Sequence, residues 1–251
     1  IIASERVSAL RRDNQRGRLP CIAGCPHSHH FSPTHSLGRP SGILDDLLLM
    51  IALDCNIACT MCYQTSDRNK FAALAERRLS ADMLWRQVPF RRINRVVIQG
   101  GEPTVIPESV ELIAMLNELP PGAPSVNIIS NGLSLPAVVT TCIVNRSEFV
   151  YISINGATPE SHAHVNRGSK WDQVLENIRS LRALRSATQA TFKIVGGFTI
   201  VPRNIREIPD FISLYEALGF DSISFNYDTS ASRLLARNTT LAADLRARIA
   251  A

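Results

Sequence analysis

The chain has 251 residues, 45% hydrophobic and 20% charged, with a formal net charge of +5. That balance excludes an intrinsically disordered or fibrous chain and allows one large domain or two small ones. There is enough chain to bury a core without disulfide staples, and six cysteines grouped at 21/25, 55/59/62 and 142 do not match a secreted disulfide framework.

Residues 1–43 read as an irregular N-terminal extension. The opening stretch is polar and Arg-rich and lacks the apolar core of a signal peptide. Six arginines in residues 1–40 face only Glu5 and Asp13, a balance that could attract nucleic acid. Without interleaved aromatics or a nucleic-acid motif, a solvated basic leader is the better reading, and no nucleic-acid partner is expected. The next stretch, CIAGCPHSHHFSPTH, gathers Cys21, Cys25, His27, His29, His30 and His35. A second metal site at Cys21/Cys25 is one reading. A coil folded over the following domain is the other, because the Cys/His spacing fits no established zinc pattern. The chain begins with Ile, so a fragment of something longer is expected.

From Leu47 onward apolar runs alternate with amphipathic stretches. Strands are expected at 47–54, 95–99, 125–130, 148–154, 192–200 and 221–226, most of them rich in Val, Ile and Phe. The first, LLLMIALD, is continuously apolar and is expected to be buried on both faces. It is too short to span a bilayer, so no membrane partner is expected. Helices fall between the strands. Ser80 is placed to cap the helix containing Leu84 and Val88, and Pro107 to open the next at a position where a missing N–H costs nothing. Trp171, Val174, Leu175, Ile178, Leu181 and Leu184 form a stripe of helical period. Asn204 with Glu207 resembles a capping box. Phe211, Ile212, Tyr215 and Leu218 would follow as an inner face. Cys142, in an apolar helical stretch, is expected in the core.

Strand–helix alternation over about 200 residues argues for a parallel sheet, either doubly wound or curled into a barrel. In both architectures chemistry collects at the carboxyl ends of the strands. Four polar motifs lie there: the cysteine loop after the first strand, then QGGEP, SNG and SING. The loop DCNIACTMCYQ spaces Cys55, Cys59 and Cys62 as Cys-x3-Cys-x2-Cys. Three thiolates so close can wrap one metal centre. A zinc knot would need a fourth ligand from elsewhere, whereas a cubane cluster held by three would leave one iron open.

CNIACTMC resembles the signature of the radical S-adenosylmethionine (radical SAM) superfamily, and the downstream strand ends agree over residues 47 to 226. The resemblance implies an α/β fold, a partial (β/α)6 TIM-like barrel open on one side, in a core domain spanning 44–251. It implies that Cys55, Cys59 and Cys62 each ligate one iron of a 4Fe-4S cluster, and that the fourth iron binds the amino and carboxylate groups of SAM. The activity implied is reductive cleavage of SAM to a 5′-deoxyadenosyl radical, which abstracts hydrogen from a substrate. The position before the third cysteine is often aromatic in the family; here it is Met61, and Tyr63 follows instead, near where adenine would pack.

The rest of the cofactor cradle is carried over by motif. GGEP resembles the segment that holds the methionine amino group: Gly100 and Gly101 permit close backbone approach, and Glu102 accepts from an ammonium. Ser130 and Asn131 of SNG would meet ribose or carboxylate. SING resembles the SIDG-type motif of peptide-modifying members, with Ser153 kept and Asn155 in place of the acid. HAHVNRG resembles the downstream segment whose Arg, here Arg167, would pair with the SAM carboxylate. Thr199 to Val201 would lie against adenine or belong to the core, and His162 and His164 read as loop or helix-start residues. The nearest resemblance is to members that act on a peptide or protein. A small-metabolite enzyme and a non-catalytic iron–sulfur or zinc protein are the alternatives. Such peptide-modifying members often carry a C-terminal cluster domain. No cysteine follows Cys142, so either this chain is cut short at its C-terminus or the enzyme works without that domain. An electron donor such as flavodoxin or ferredoxin is the implied partner, and the cytoplasm the implied location.

Overall fold

The computed structural model describes residues 43–62 and 78–250. The extension at 1–42, with its Cys21/Cys25 segment, and Tyr63 lie outside them. Six strands form one sheet in sequential order, every neighbouring pair parallel: β1 (Leu44–Met50), β2 (Ile93–Gln99), β3 (Ser125–Ser130), β4 (Phe149–Ser153), β5 (Lys193–Ile200) and β6 (Ser222–Tyr227). The sheet is an open half-barrel, with β1 and β6 as its unjoined edges. The helices between strands are α1 (Ala81–Gln87), α2 (Pro107–Asn117), α3 (Ala137–Arg146), α4 (Pro159–Val165), α5 (Trp171–Thr188) and α6 (Ile208–Leu214). After β6 come α7 (Thr229–Arg237) and α8 (Thr239–Ala250). Among the described residues no helix is long and apolar enough to cross a membrane.

Alternation along the strands sorts the residues by face. Val96, Ile98, Val126, Ile128, Val150, Ile152, Ile194 and Phe198 are fully buried on the helix-covered side. Tyr151 and Ser153 stand on the concave side, level with Val195 and Gly197 of β5 and, beyond it, Ser222 and Ser224 of β6. Ser80 accepts from Met83 N at the start of α1, and Pro107 opens α2. α5 buries Val174, Ile178 and Leu181, and Cys142 is buried in α3.

Two expectations are corrected. The first strand runs 44–50 and is not buried on both faces: Leu48 is 58% exposed. As an edge strand it has a neighbour on one side only. Residues 51–54 leave the ladder and give their carbonyls to other segments: Ile51 O to Leu79 N, Ala52 O to Gly101 N and Asp54 O to Glu102 N. The capping box at Asn204/Glu207 is also absent. Asn204 is buried and accepts from Val201 N, while its amide donates to Asn155 O and Thr199 O. Glu207 instead accepts from Ala157 N and Ser161 Oγ. A buried amide beside open strand-end carbonyls satisfies more backbone there than a local cap would.

Candidate active site

The cysteine loop leaves β1 at the carboxyl end of the sheet and is clipped to a segment more than a hundred residues away. Ala58 N donates to Arg167 O (2.8 Å) and Thr60 N to Val165 O (2.9 Å). Arg167 Nε returns a bond to Ala58 O at 3.0 Å. Between these rungs Cys59 Sγ contacts Asn166 Oδ1 at 3.5 Å. None of Cys55, Cys59 and Cys62 is in a disulfide. Burial pushes the Cys55 thiol up and the Cys59 thiol up to about 12; both also feel the charges of Cys62 and Glu102. Thiols so close need a cation before they release their protons together.

Glu102 sits beside that loop, 1% exposed. Oε1 accepts from Thr104 N (3.2 Å), Thr104 Oγ1 (2.7 Å) and Ser130 Oγ (2.9 Å), and Oε2 accepts from Asn131 N (2.7 Å). Burial raises its pKa against the pull of these donors. Every partner is neutral, and among the described residues no Arg or Lys pairs with it. A buried carboxylate without a countercharge is costly, and the donors alone leave the cost partly unmet.

Gly100 and Gly101 meet the chain's own backbone. A Cβ on Gly101 would stand 1.8 Å from Asp54 O, and one on Gly100 (φ +136°) 2.7 Å from Ala52 O. The glycines thus press the end of β2 against the exit of β1, which sets Glu102 next to the cysteines. Asn131 is buried, donates to Asn56 Oδ1 at 2.7 Å and lies 3.9 Å from Cys55 Sγ. Ser153 is half-buried on the concave face, and its carbonyl accepts from Asn166 Nδ2. Arg167 is exposed at the rim with Nε engaged on the loop. Glu102, Ser130, Asn131 and Cys55 are therefore joined by direct contacts; Cys59 and Cys62 lie on the same loop as Cys55, and Arg167 is bonded to that loop at Ala58 O.

Three residues escaped the sequence reading. Thr104 gives Glu102 two donors, and Asn166 touches Cys59. Tyr151 lies on the concave face, its ring where a Cβ on Gly197 would fall and its hydroxyl 3.3 Å from Asn226 Nδ2. The two vacant side chains of GG at 196–197 were the available signal for an aromatic packed across β5. His162, by contrast, is a structural residue: buried in α4, it is bonded to Ile154 O and Ser169 Oγ.

The donor set suits a cluster better than a single ion. Among the described residues no three Cys, His, Asp or Glu side chains converge on one ion, as zinc ligands at about 2.0–2.3 Å must. A cubane takes each thiolate on a different iron and tolerates wider spacing. Beside it, the uncompensated Glu102 suits a cationic ligand.

Fold and site together define a half-barrel that presents three thiols and a buried acid at its strand ends. The family model of the Radical SAM superfamily matches residues 50–214. The chain belongs to the radical SAM superfamily, which implies a 4Fe-4S cluster and SAM as cofactors. A probable GTP 3′,8-cyclase of Saccharolobus islandicus (strain Y.N.15.51 / Yellowstone #2) is 25% identical over 186 residues, 74% of this chain and 56% of that protein. The GTP 3′,8-cyclase of Alkaliphilus oremlandii (strain OhILAs) is 32% identical over 123 residues, 49% of this chain and 37% of its own. The chain thus spans about half the length of the curated relatives it matches. Streptococcus suis SuiB bound to precursor peptide SuiA shares the fold with TM-score 0.56 at 14% identity, covering 88% of this chain and 52% of that one. Methylornithine synthase (PylB) does so with TM-score 0.53 at 17% identity, covering 74% and 53%.

Proposed function

We propose that the protein is a radical SAM enzyme in which Cys55, Cys59 and Cys62 hold three irons of a 4Fe-4S cluster. Glu102 receives the SAM ammonium; Gly100, Gly101, Ser130, Asn131, Ser153, Arg167 and Tyr63 complete the cradle. The observation that carries this reading is the buried, uncompensated Glu102 beside the three thiols. When bound, the cluster and SAM supply a 5′-deoxyadenosyl radical that takes hydrogen from substrate. The chain's own part is placement. Glu102 is held by Thr104, Ser130 and Asn131, so it meets the ammonium without reorganising. The rungs to Val165 and Arg167 fix the cysteine loop. Tyr151, Ser153, Ser222 and Ser224 give the concave face a neutral, hydrogen-bonding surface for substrate.

Two substrate readings are supported by different observations. The SING and NRG segments lean to a peptide or protein. The curated relatives named GTP 3′,8-cyclase lean to a small metabolite. The partner would be a flavodoxin or ferredoxin, and the setting the reducing cytoplasm. Anaerobic reconstitution with iron and sulfide, then reduction with SAM, tests the enzyme reading: 5′-deoxyadenosine forms, measured by mass spectrometry. Protein with an intact cluster that yields none refutes it. Stimulation of that yield by GTP, or by a candidate precursor peptide, decides between the substrates.

A further inference from the structure

We infer that Asn166 is a positioning residue for the middle cysteine of the loop, and that Asn155, standing where related motifs carry an acid, fixes its orientation. The inference rests on reading the cysteine loop as a cluster site. Asn166 is fully buried. Its Oδ1 accepts from Asn155 Nδ2 at 2.9 Å and lies 3.5 Å from Cys59 Sγ, while its Nδ2 donates to Ser153 O (2.8 Å) and Ile154 O (3.3 Å). Asn155, 2% exposed and held at φ 53°, accepts on Oδ1 from Thr199 N at 2.6 Å. Its carbonyl accepts from Asn204 Nδ2.

The amide orientations are fixed by the backbone. An asparagine with ambiguous neighbours can flip its amide at little cost. Here, turning Asn155 would set its NH2 against Thr199 N–H. Turning Asn166 would set its oxygen against two carbonyls and its NH2 against that of Asn155. Each flip leaves buried groups unpaired, and buried polar groups are costly when unpaired. The result is a chain of neutral amides running from the end of β5, across the end of β4, to the segment 165–167 that carries the cysteine loop; the protonated Cys59 thiol donates to Asn166 Oδ1, and once Cys59 is a thiolate the hold passes through the Val165 and Arg167 carbonyls on either side. With the flanking rungs from Ala58 and Thr60, it registers the loop from beneath.

An aspartate at 155 would break this relay. Its carboxylate could still accept from Thr199 N, but it has no N–H for Asn166 Oδ1, and two acceptors would then face each other. Asn155 thus acts inside the fold, and its amide does not stand in for a ligand-binding acid. Groups behind a metal ligand commonly change metal retention by about 10- to 100-fold when removed.

The test uses the full chain after anaerobic reconstitution. Wild type, Asn166→Ala and Asn155→Asp are compared for the rate at which a ferrous chelator strips iron, for the EPR spectrum of the reduced cluster and for thermal unfolding. Both variants are expected to release iron about tenfold faster or more, with an altered EPR line shape in Asn155→Asp and no matching rise in global unfolding. Asn155→Asp is nearly isosteric and carries the test alone if Asn166→Ala does not fold. Iron release at the wild-type rate overturns the inference, as does release that rises only in step with unfolding. Wild type that takes up no iron overturns the cluster reading itself, and the inference with it.

Discussion

The two ends of the sheet treat negative charge differently. At the amino ends of the strands, Arg95 holds Asp46 and reaches Glu148 at 3.4 Å, and Arg185 grips Asp221 with two bonds. At the carboxyl ends, Glu102 has only hydroxyl and amide donors. The Arg95 hydrogen bond holds the exposed Asp46 carboxyl below its ordinary range, whereas burial drives Glu102 above its own. An ion pair completed within the chain is part of the fold. An anion left with neutral donors, within electrostatic reach of Cys55 and Cys59, is prepared for a cation the chain does not supply. The substitutions below break that contrast, from the largest expected effect to the smallest.

Cys59→Ala removes one of three thiolates and is expected to abolish the broad visible absorption of the reconstituted protein. It should reduce 5′-deoxyadenosine formation to background. An unchanged spectrum would mean that the thiols at this end do not serve a cluster. Glu102→Gln keeps the shape and removes the charge. SAM affinity is expected to fall about ten- to a hundredfold, the loss of one charge-assisted hydrogen bond worth roughly 1.5–3 kcal/mol. The visible spectrum should stay. Calorimetry with equal affinities for both proteins would show that the buried acid is not the ammonium acceptor.

The carboxyl end was legible in the sequence to the extent that its chemistry is local. Cys55, Cys59 and Cys62 are spaced within one loop, and Glu102 lies directly behind a strand, so pattern alone placed them together. β2 to β6 start and stop within two residues of the expected bounds, because their apolar alternation coincides with their ladders. β1 drifted because LLLMIALD is apolar throughout. Its end is set by Leu79, Gly101 and Glu102 claiming the carbonyls of Ile51, Ala52 and Asp54, a long-range competition with no local mark. Asn166 was passed over for the neighbouring Arg167 for the same reason. Its value comes from Cys59, 107 residues earlier in the chain. Asn204 was mistaken for a cap because a buried amide bridging two strand ends and a helix cap share a sequence signature.

The raised pKa of Glu102 gives the contrast a pH signature. Folding without a bound cation raises this pKa above its unfolded value, so the folded protein holds the proton more tightly. The associated stability is full at low pH and is lost as pH rises from the ordinary carboxylate range through the raised folded value. Glu102→Gln lacks this slope. Relative to wild type, the SAM-free variant should gain stability as pH rises above the ordinary carboxylate range, measured by urea unfolding. Saturating SAM should erase the gain. A constant difference across that rise would mean that Glu102 titrates alike in both states.

Arg185→Gln attacks the other end and should do least. Arg185 donates to both oxygens of Asp221, at 2.5 and 3.0 Å, and to Phe192 O at 2.9 Å. The pair is partly exposed, so solvent screening limits it to about 1 kcal/mol or less, seen as a small fall in the urea midpoint. Desolvation works against the Asp221 charge, but the Arg185 hydrogen bond and that from Ile194 N prevail and hold its carboxyl low. The contribution is therefore present above the ordinary Asp range and fades as pH falls through the depressed folded value. Its slope has the opposite sign to that of Glu102. Iron content and SAM affinity should be unchanged, because this pair is closed within the chain and lies at the far end of the strands from the thiols. A loss of SAM affinity in Arg185→Gln would mean that charge at the two ends is coupled through the sheet, and that the ends cannot be treated as separate.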